Sequence, residues 1–317
     1  MMQPKQQAVT ARDLRRPKHK WDDYKVFLLA LPAIAIVILF RYIPLWGWSF
    51  SLFQYKPGKD LFDCNFAGLQ NFTFLFNNPV MRKNLVRVLT NTFGIHMLGY
   101  LFTPLPMLFA IFLSEMKSKR YQKLVQSVTT LPNFISWVII YSLMNSFFSS
   151  SGVATKLMIQ LGIVDQGFNL MTSDDHVWLY MVLLQQWKSL GWSAIIYFAS
   201  IAGIPQDMYE AAMIDGANRM QRIWYITIPS LIPTYFVLLI MSIGNFLNTG
   251  VDQYLTFGNA LNKQFIEVLD LYVYNLGIGS GQISFSVAVG IMKSVVALVL
   301  FSMANFASKK IRGESVF

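Results

Sequence analysis

The hydrophobic positions of this chain are concentrated in long apolar stretches, and shorter polar segments separate them. Six stretches reach about 20 residues, the length at which a helix crosses the ~30 Å hydrocarbon core of a bilayer. They predict an all-α, polytopic membrane protein with six transmembrane helices. The predicted spans cover residues 26–48, 91–113, 124–148, 177–200, 234–254 and 283–307.

The composition supports the membrane class. Of the 317 residues, 54% are hydrophobic and only 13% are charged, whereas a soluble domain has ~25% charged residues. So little charge could not cover this much apolar surface in water, and a soluble enzyme is therefore disfavoured. The lone cysteine, Cys64, excludes an intramolecular disulfide bond.

The basic residues predict the orientation of the spans. With both termini in the cytoplasm, the inner segments hold 16 of the 26 lysines and arginines, and the outer segments hold seven. Because basic residues are enriched in cytoplasmic loops, this distribution favours an N-in/C-in topology. The layout is then a cytoplasmic basic tail at 1–25, a membrane domain at 26–310 with an outer loop at 49–90 and a cytoplasmic loop at 201–233, and a cytoplasmic tail at 311–317. The basic tail is a topology signal, so no nucleic-acid partner is predicted.

The sequence lacks the residue patterns typical of a catalytic or metal site. It contains no G-x-x-x-x-G-K-[ST] phosphate-binding loop, no Gly-x-Ser-x-Gly and no HExxH. The three histidines are far apart along the chain, so no metal site is predicted. One of them, His96, lies in the second predicted span and is expected to be packed and hydrogen-bonded. The sequence therefore predicts a protein that is not an enzyme and that binds no cofactor itself.

The loop at 201–233 is unusually long for a connection between spans, and its residues predict two short helices. Pro205 suits the first turn of the first helix, and Gly216 can adopt the left-handed conformation that ends it. Asn218 is the predicted N-cap of the second helix. Two prolines are predicted to end that helix before the fifth span, Pro229 and Pro233. Loops with helices of their own are often functional.

This loop resembles the "EAA" loop of binding-protein-dependent ABC importer permeases. The resemblance rests on Glu-Ala-Ala at 210–212, Asp-Gly-Ala at 215–217 and Ile-x-Ile-Pro at 226–229. Segments elsewhere are similar to the carbohydrate branch of that family, in particular its maltose- and alginate-type permeases for oligo- and polysaccharides. These segments are 41–44, 54–58, 68–72 and 131–137.

The resemblance implies a type I importer permease fold and a set of partners. The loop would form a coupling helix that docks on an ATPase subunit through Glu210, Ala211, Ala212, Asp215, Gly216 and Ala217. Two cytoplasmic ATPase subunits would hold ATP and Mg, and an extracytoplasmic solute-binding protein would deliver a saccharide. A second, homologous permease would form a heterodimer with this chain in the bacterial cytoplasmic membrane. The alternative is a stand-alone secondary transporter or channel, for which an internal inverted repeat is expected and none is evident.

Polar residues inside spans are costly, and they mark the predicted substrate path. In the fourth span positions 185, 188 and 192 share one helical face, and in the fifth span positions 241, 245, 248 and 252 do the same. The predicted path residues are Gln185, Trp187, Lys188, Trp192, Asn245, Asn248, Tyr141, Asn145 and Lys293.

Structural roles remain open for several of these residues. The amides could join helix to helix, Lys188 could pair with Asp252, and Lys293 could bond to neighbouring helices. If both lysines face the path, they would attract the carboxylates of an acidic, uronate-containing glycan. In the third span, Pro132 is a predicted flexing point.

Overall fold

The computed structural model describes residues 20–163, 165, 169–172 and 176–312. Most of the two predicted tails, 1–25 and 311–317, lies outside these residues. Regular structure in the described part is helical, and an isolated β-bridge joins Phe53 to Phe66. The prediction of an all-α protein is confirmed.

The described α-helices are numbered in chain order. They are α1 Lys20–Val37, α2 Gln70–Asn77, α3 Pro79–Tyr100, α4 Leu105–Ser114, α5 Lys119–Thr130, α6 Trp137–Phe148, α7 Val153–Gln160, α8 Val177–Ala202, α9 Gln206–Ile214, α10 Arg219–Arg222, α11 Ile228–Gly244, α12 Asp252–Phe257, α13 Lys263–Ile266, α14 Leu269–Tyr274 and α15 Ile283–Arg312. Wider π-helical turns lie at Ile38–Tyr42, Ile223–Thr227 and Asn275–Gly279, and 3₁₀ turns at Ile43–Leu52, Leu61–Asp63 and Leu131–Phe134.

The chain divides into two compact units, Met1–Ser49 and Phe50–Phe317. In the first unit α1 runs on through a π turn into a 3₁₀ segment, and Pro32 lies inside α1 without ending it. Every side chain from 27 to 46 is exposed. This apolar, exposed helix is suited to contact with lipid, where its backbone groups are satisfied internally.

Four helices of the described residues are long and apolar enough to cross a membrane: Phe27–Leu52, Pro79–Ser114, Arg219–Gly244 and Ile283–Phe306. A fifth candidate is the pair Lys119–Phe134 and Trp137–Gln160, which is bent by 101°. Helix α8 has 26 residues, the length of a span, but polar residues such as Gln185, Gln186 and Lys188 lower its apolar character. By length and composition the structure therefore gives four or five candidates where the sequence predicts six.

The second predicted span begins earlier in the structure than its apolar stretch suggests. Asn78 caps α3, because its side-chain oxygen accepts the N–H groups of Val80 at 2.9 Å and Met81 at 3.1 Å. Pro79 then occupies the first helical position, where no amide hydrogen is needed. The helix is interrupted at 101–104, and α4 continues beyond the interruption.

The fifth predicted span differs at both ends. Pro229 and Pro233 do not end the loop helix, which continues from Arg219 to Gly244, so that prediction is wrong. At Pro229 the reason is the π turn just before it. The Ile228 N–H donates to the Ile223 carbonyl five residues back, and this wider turn leaves room for the ring of Pro229.

At its far end, α11 stops at Gly244, and α12 starts only at Asp252. The prediction that positions 241, 245, 248 and 252 share one helical face is therefore wrong. Asn245 and Asn248 lie in the turn between the two helices, and Asn248 Nδ2 donates to Asn245 Oδ1 at 3.2 Å.

Helix α8 is the central helix of the second unit, where it contacts α3, α4, α5, α11 and the 3₁₀ turn at 131–134. Close backbone approach explains two of these contacts. A Cβ on Gly94 of α3 would lie 2.3 Å from the Trp178 ring, and a Cβ on Gly191 would lie 2.4 Å from the Thr129 carbonyl. Only glycine permits such contacts.

Candidate functional site

The first part of the loop after α8 folds as the sequence predicts, up to the start of α10. Gly216 has a φ of +78° and ends α9, and the Ala217 amide donates to the Ala212 carbonyl at 2.8 Å. Asn218 and Gln221 form a reciprocal capping box at the start of α10: Gln221 N–H donates to Asn218 Oδ1 at 2.9 Å, and Asn218 N–H donates to Gln221 Oε1 at 2.7 Å. The predictions for Gly216 and Asn218 are confirmed.

One side of α9 is tied to the rest of the second unit. The hydroxyls of Tyr209 and Thr227 are 2.9 Å apart and hydrogen-bonded. The Arg219 guanidinium forms an ion pair with Glu115, just after the end of α4. These contacts fix α9 and α10 to α4 and to the start of the α11 helix.

The other side of α9 carries no buried residue. Glu210, Ala211, Asp215 and Gly216 are exposed, and Ala212 and Ala217 are half-buried. Ile214 is 87% exposed, which is unusual for so large an apolar side chain. An acidic residue, small residues and an exposed isoleucine together form a surface suited to a protein partner.

A groove runs along α8 through two adjoining cavities; the first has a mixed polar and apolar lining, and the second is lined mostly by apolar and aromatic residues. The first has a volume of about 210 Å³ and is lined by His96, Tyr100, Gln185, Asn248, Gln253 and Tyr254, among others. The second has a volume of about 510 Å³ and is lined by Ser189, Trp192, Ser193 and Tyr235, among others. Thr103, Gln186 and Ser242 line both cavities and join them. Among the described lining residues there is no Lys, Arg, Asp or Glu.

The structure brings only three of the predicted path residues to this groove, and these are Gln185, Trp192 and Asn248. The other predicted residues do not line either cavity: Trp187, Lys188, Asn245, Tyr141, Asn145 and Lys293. Tyr141 packs edge-on against Phe257, with ring centroids 5.2 Å apart. Asn245 donates back to the Met241 carbonyl at 3.0 Å.

Sequence reasoning missed several groove residues, of which His96 is the most informative. Its ring is packed as predicted, with its centroid 5.0 Å from that of Phe246. Its Nε2 atom, however, is buried and has no hydrogen-bond partner among the described residues, so the expected hydrogen bond is not found for this atom. The signal available in the sequence was its position one helical turn before Tyr100, on the same side of α3.

Lys188 bonds to backbone carbonyls. Its Nζ atom donates to Pro132 at 3.0 Å, to Asn133 at 2.9 Å and to Ile135 at 2.5 Å. It also lies 5.4 Å from the centroid of the Trp137 ring. The predicted alternative, a pair with Asp252, is therefore wrong.

Lys293 pairs with Asp270, and this confirms the alternative in which it bonds to a neighbouring element. Asp270 also accepts the Gly250 amide at 2.9 Å and the Thr249 hydroxyl at 3.3 Å. Nearby, Arg87 bonds to Glu267 at 2.5 Å. No group of metal-ligating side chains is found in the part of the chain that the structure describes.

Long apolar helices, a groove between helices and an exposed loop helix fit a transport protein of the permease class. The chain belongs to the family of binding-protein-dependent transport system inner membrane components, whose model matches residues 103–313. Together with the relatives and solved structures that follow, this match confirms the predicted membership in the ABC importer permeases of the carbohydrate branch.

Curated relatives match over nearly the whole chain. Protein LplB of Bacillus subtilis (strain 168) is 35% identical over 304 residues, covering 95% of this chain and 92% of that protein. The polygalacturonan/rhamnogalacturonan transport system permease protein YteP of the same organism is 33% identical, covering 92% and 90%.

Solved structures show the same fold. A chain of a bacterial ABC transporter involved in the import of the acidic polysaccharide alginate superposes with a TM-score of 0.80 at 30% identity, covering 93% of this chain and 100% of that one. A chain of the alginate ABC transporter in complex with alginate pentasaccharide-bound periplasmic protein gives a TM-score of 0.79 at 30% identity, covering 93% and 97%.

Proposed function

We propose that this chain is a permease subunit of an ATP-driven importer and that its substrate is an oligosaccharide. The observation that carries the proposal is the groove along α8, in which apolar and aromatic side chains lie beside a few amide and hydroxyl side chains. This combination can stack on sugar rings and bond to their hydroxyls. The relatives named for polygalacturonan, rhamnogalacturonan and alginate support the same substrate class.

The path residues that we propose are those lining the groove. Gln185, Trp192 and Asn248 keep their predicted role, and His96 and Gln186 join them. Lys188 and Lys293 are not included among the path residues, because Lys188 is hydrogen-bonded to backbone carbonyls and Lys293 is paired with Asp270.

Because both lysines bond within the chain, they do not supply a positive charge for the carboxylates of an acidic substrate. No described cation lines the groove, so this chain would bind ring faces and hydroxyls, and the carboxylates of a uronate would be recognised elsewhere in the importer. Uronate oligosaccharides are still among the first substrates to test, because relatives are named for acidic polysaccharides.

The exposed side of α9 supports docking to an ATPase subunit. We assign the contact to Glu210, Ala211, Ala212, Asp215, Gly216 and Ala217, which the resemblance to the EAA loop identifies. ATP and Mg would be held by two ATPase subunits, so this chain would bind no cofactor and catalyse no reaction. Closure of the ATPases would move α9 and switch the permease between inward- and outward-facing states.

Two further partners are proposed, a second homologous permease and an extracytoplasmic solute-binding protein. Trp192 lines the groove and is still 51% exposed, so a second chain would be needed to close the path. The proposed location is the bacterial cytoplasmic membrane with both termini inside. The structural neighbour solved with its periplasmic protein supports the binding-protein partner.

Reconstitution tests the proposal. The complete importer in proteoliposomes, supplied with its binding protein, should accumulate labelled oligosaccharides only when ATP is present with the ATPase subunits. The panel would include matched neutral and uronate oligosaccharides of two to six units. Uptake by this chain without ATPase subunits would instead support the stand-alone transporter or channel.

A further inference from the structure

Two of the residues through which α8 contacts the bent pair α5–α6 lie on one side of the helix. Lys188 and Gly191 are three positions apart and therefore lie close together on the helix surface. Lys188 bonds to the carbonyls of the break between α5 and α6. The backbone at Gly191 lies against Thr129, at the end of α5, where a Cβ would lie only 2.4 Å from the carbonyl.

The break needs such a contact because of its geometry. The two helices meet at 101°, and at such a bend the carbonyls at the end of one helix lose amides that a continuous helix would supply. Of the three carbonyls that Lys188 contacts, that of Pro132 also accepts the Ile135 amide at 3.2 Å. In a bilayer these carbonyls have no water to bond to. A lysine ammonium has three donors, and Lys188 directs its Nζ to three carbonyls within 132–135.

The same helix leads to the coupling surface. After Lys188, α8 continues to Ala202, and α9 begins at Gln206. At 1.5 Å per residue, Lys188 lies about 21 Å along α8 from its end. A rigid helix of that length joins the loop that would dock on the ATPase to the bend in the third predicted span.

We propose that Lys188 is a positioning residue that locks the α5–α6 bend to α8, with Gly191 as the second point of contact. Movement of α9 then reaches the bend through α8 as one unit. Lys188 acts through the carbonyls at 132–135 and makes no contact with the substrate. The role in energy coupling rests on the proposed importer function, whereas the lock itself does not.

The lock is tested first, in the assembled permease complex, by spin-label distances across the bend. Exposed Leu124 on α5 and Leu143 on α6 would be replaced by cysteine in a Cys64→Ser background. We expect one narrow distance distribution with Lys188 present and a clearly broader or shifted one in Lys188→Met, which removes the donors at similar side-chain length. An unchanged narrow distribution in Lys188→Met would overturn the lock, even if the chain transported no saccharide at all.

The coupling role is tested by transport in proteoliposomes. We expect Lys188→Met to lower the maximal uptake rate about ten-fold and to raise the ATP consumed per saccharide, because several hydrogen bonds to a charged donor are lost. The concentration of loaded binding protein that gives half-maximal uptake should not change. The ratio of uronate to neutral saccharide uptake should also stay at the wild-type value.

A second variant keeps the test decisive if Lys188→Met does not assemble. Gly191→Ala retains the lysine but forces α8 away from Thr129, and it should raise the ATP consumed per saccharide in the same way. The control is Gly290→Ala in α15, where an added Cβ meets nothing within 4 Å. A changed uronate-to-neutral ratio in Lys188→Met, or wild-type coupling in both Lys188→Met and Gly191→Ala, would overturn the proposal. A wild-type importer that takes up no saccharide would contradict the proposed function instead.

Discussion

At the scale of single residues, the polar groups within the predicted spans differ in whether the chain supplies their partners. Lys188 donates to backbone carbonyls, and Lys293 pairs with Asp270. His96 Nε2 is buried without a hydrogen-bond partner among the described residues. Because an unpaired buried polar atom costs about 1–3 kcal/mol, it needs an external partner such as a ligand or a water. We therefore propose that the His96 imidazole bonds to a saccharide hydroxyl during transport.

A His96→Phe substitution tests this role of the imidazole. Phenylalanine keeps a ring beside Phe246 and removes only the nitrogens, so packing should be largely preserved. We expect uptake at subsaturating saccharide to fall about two- to ten-fold, which corresponds to one net hydrogen bond of ~0.5–1.5 kcal/mol. Initial rates of ATP-driven uptake measure the effect. Asn145→Ala, outside the groove, should transport like the wild type, and equal rates in both variants would contradict the prediction.

At the scale of elements, α9 is held on one side and free on the other. Its length of nine residues is too short for a stable isolated helix. The capping box at Asn218 and the Tyr209–Thr227 hydrogen bond hold the loop in place. A partner can therefore bind a preformed surface without first ordering it.

A charge reversal on α9 should separate ATP hydrolysis from transport. Glu210 is exposed and makes no salt bridge among the described residues, so Glu210→Lys should leave the fold intact. We propose that Glu210 faces a basic residue of the ATPase, which a lysine at 210 would repel, and we therefore expect uptake to fall more than about ten-fold. Basal ATPase activity and uptake, measured on the same proteoliposomes, show the separation.

Glu210→Gln is the graded control for this substitution. The amide removes the charge and keeps the shape, so its uptake should lie between those of the wild type and Glu210→Lys. Undiminished uptake in Glu210→Lys would show that α9 does not dock through this residue.

The contact between α3 and α8 can be tested by a matched pair of glycine substitutions. Gly94→Ala would place a Cβ 2.3 Å from the Trp178 ring, whose Nε1 donates to the Phe265 carbonyl at 3.1 Å. We expect a loss of about 1–3 kcal/mol from overpacking. Gly99→Ala, on the same helix, meets nothing within 4 Å and should not destabilise the protein. Thermal unfolding in detergent compares the two, and equal stability would contradict the described contact.

The sequence predicts the elements of this fold better than their interruptions. Apolar length locates most of the long helices, and local chemistry predicts the loop at Gly216 and Asn218. Pro132, the predicted flexing point, lies at the bend in the third predicted span. The contact of this bend with Lys188, more than 50 positions further along the chain, is not visible in a local pattern. The end of α11 at Gly244 was also not predicted, because the apolar pattern of the sequence continues past this residue. Three of the nine predicted path residues reach the groove; Lys188 and Lys293 bond to partners within the chain instead, and a sequence pattern does not show such distant partners.

At the scale of the whole molecule, the segment between α11 and α15 is tied to helices far away in the sequence. Glu267 bonds to Arg87 of α3 at 2.5 Å, and the Leu269 amide donates to Thr92 at 2.9 Å. Asp270 pairs with Lys293 of α15 and accepts the Gly250 amide. These polar contacts join α3, α14 and α15, so the segment forms part of the folded body of the second unit.

The pair Lys293–Asp270 gives the clearest test of this arrangement. Both side chains are about 15% exposed or less, so Lys293→Met should leave Asp270 as a buried charge without its cation and cost about 3–5 kcal/mol. The double variant Lys293→Met/Asp270→Asn should recover most of this loss, because the amide is neutral and its oxygen can still accept the Gly250 amide. Thermal unfolding of the purified complex measures the recovery, and Asp270→Asn alone completes the cycle. If Lys293 instead bound uronates, the double variant would lose uronate uptake as completely as the single one, whereas a structural pair predicts that stability and uptake recover together.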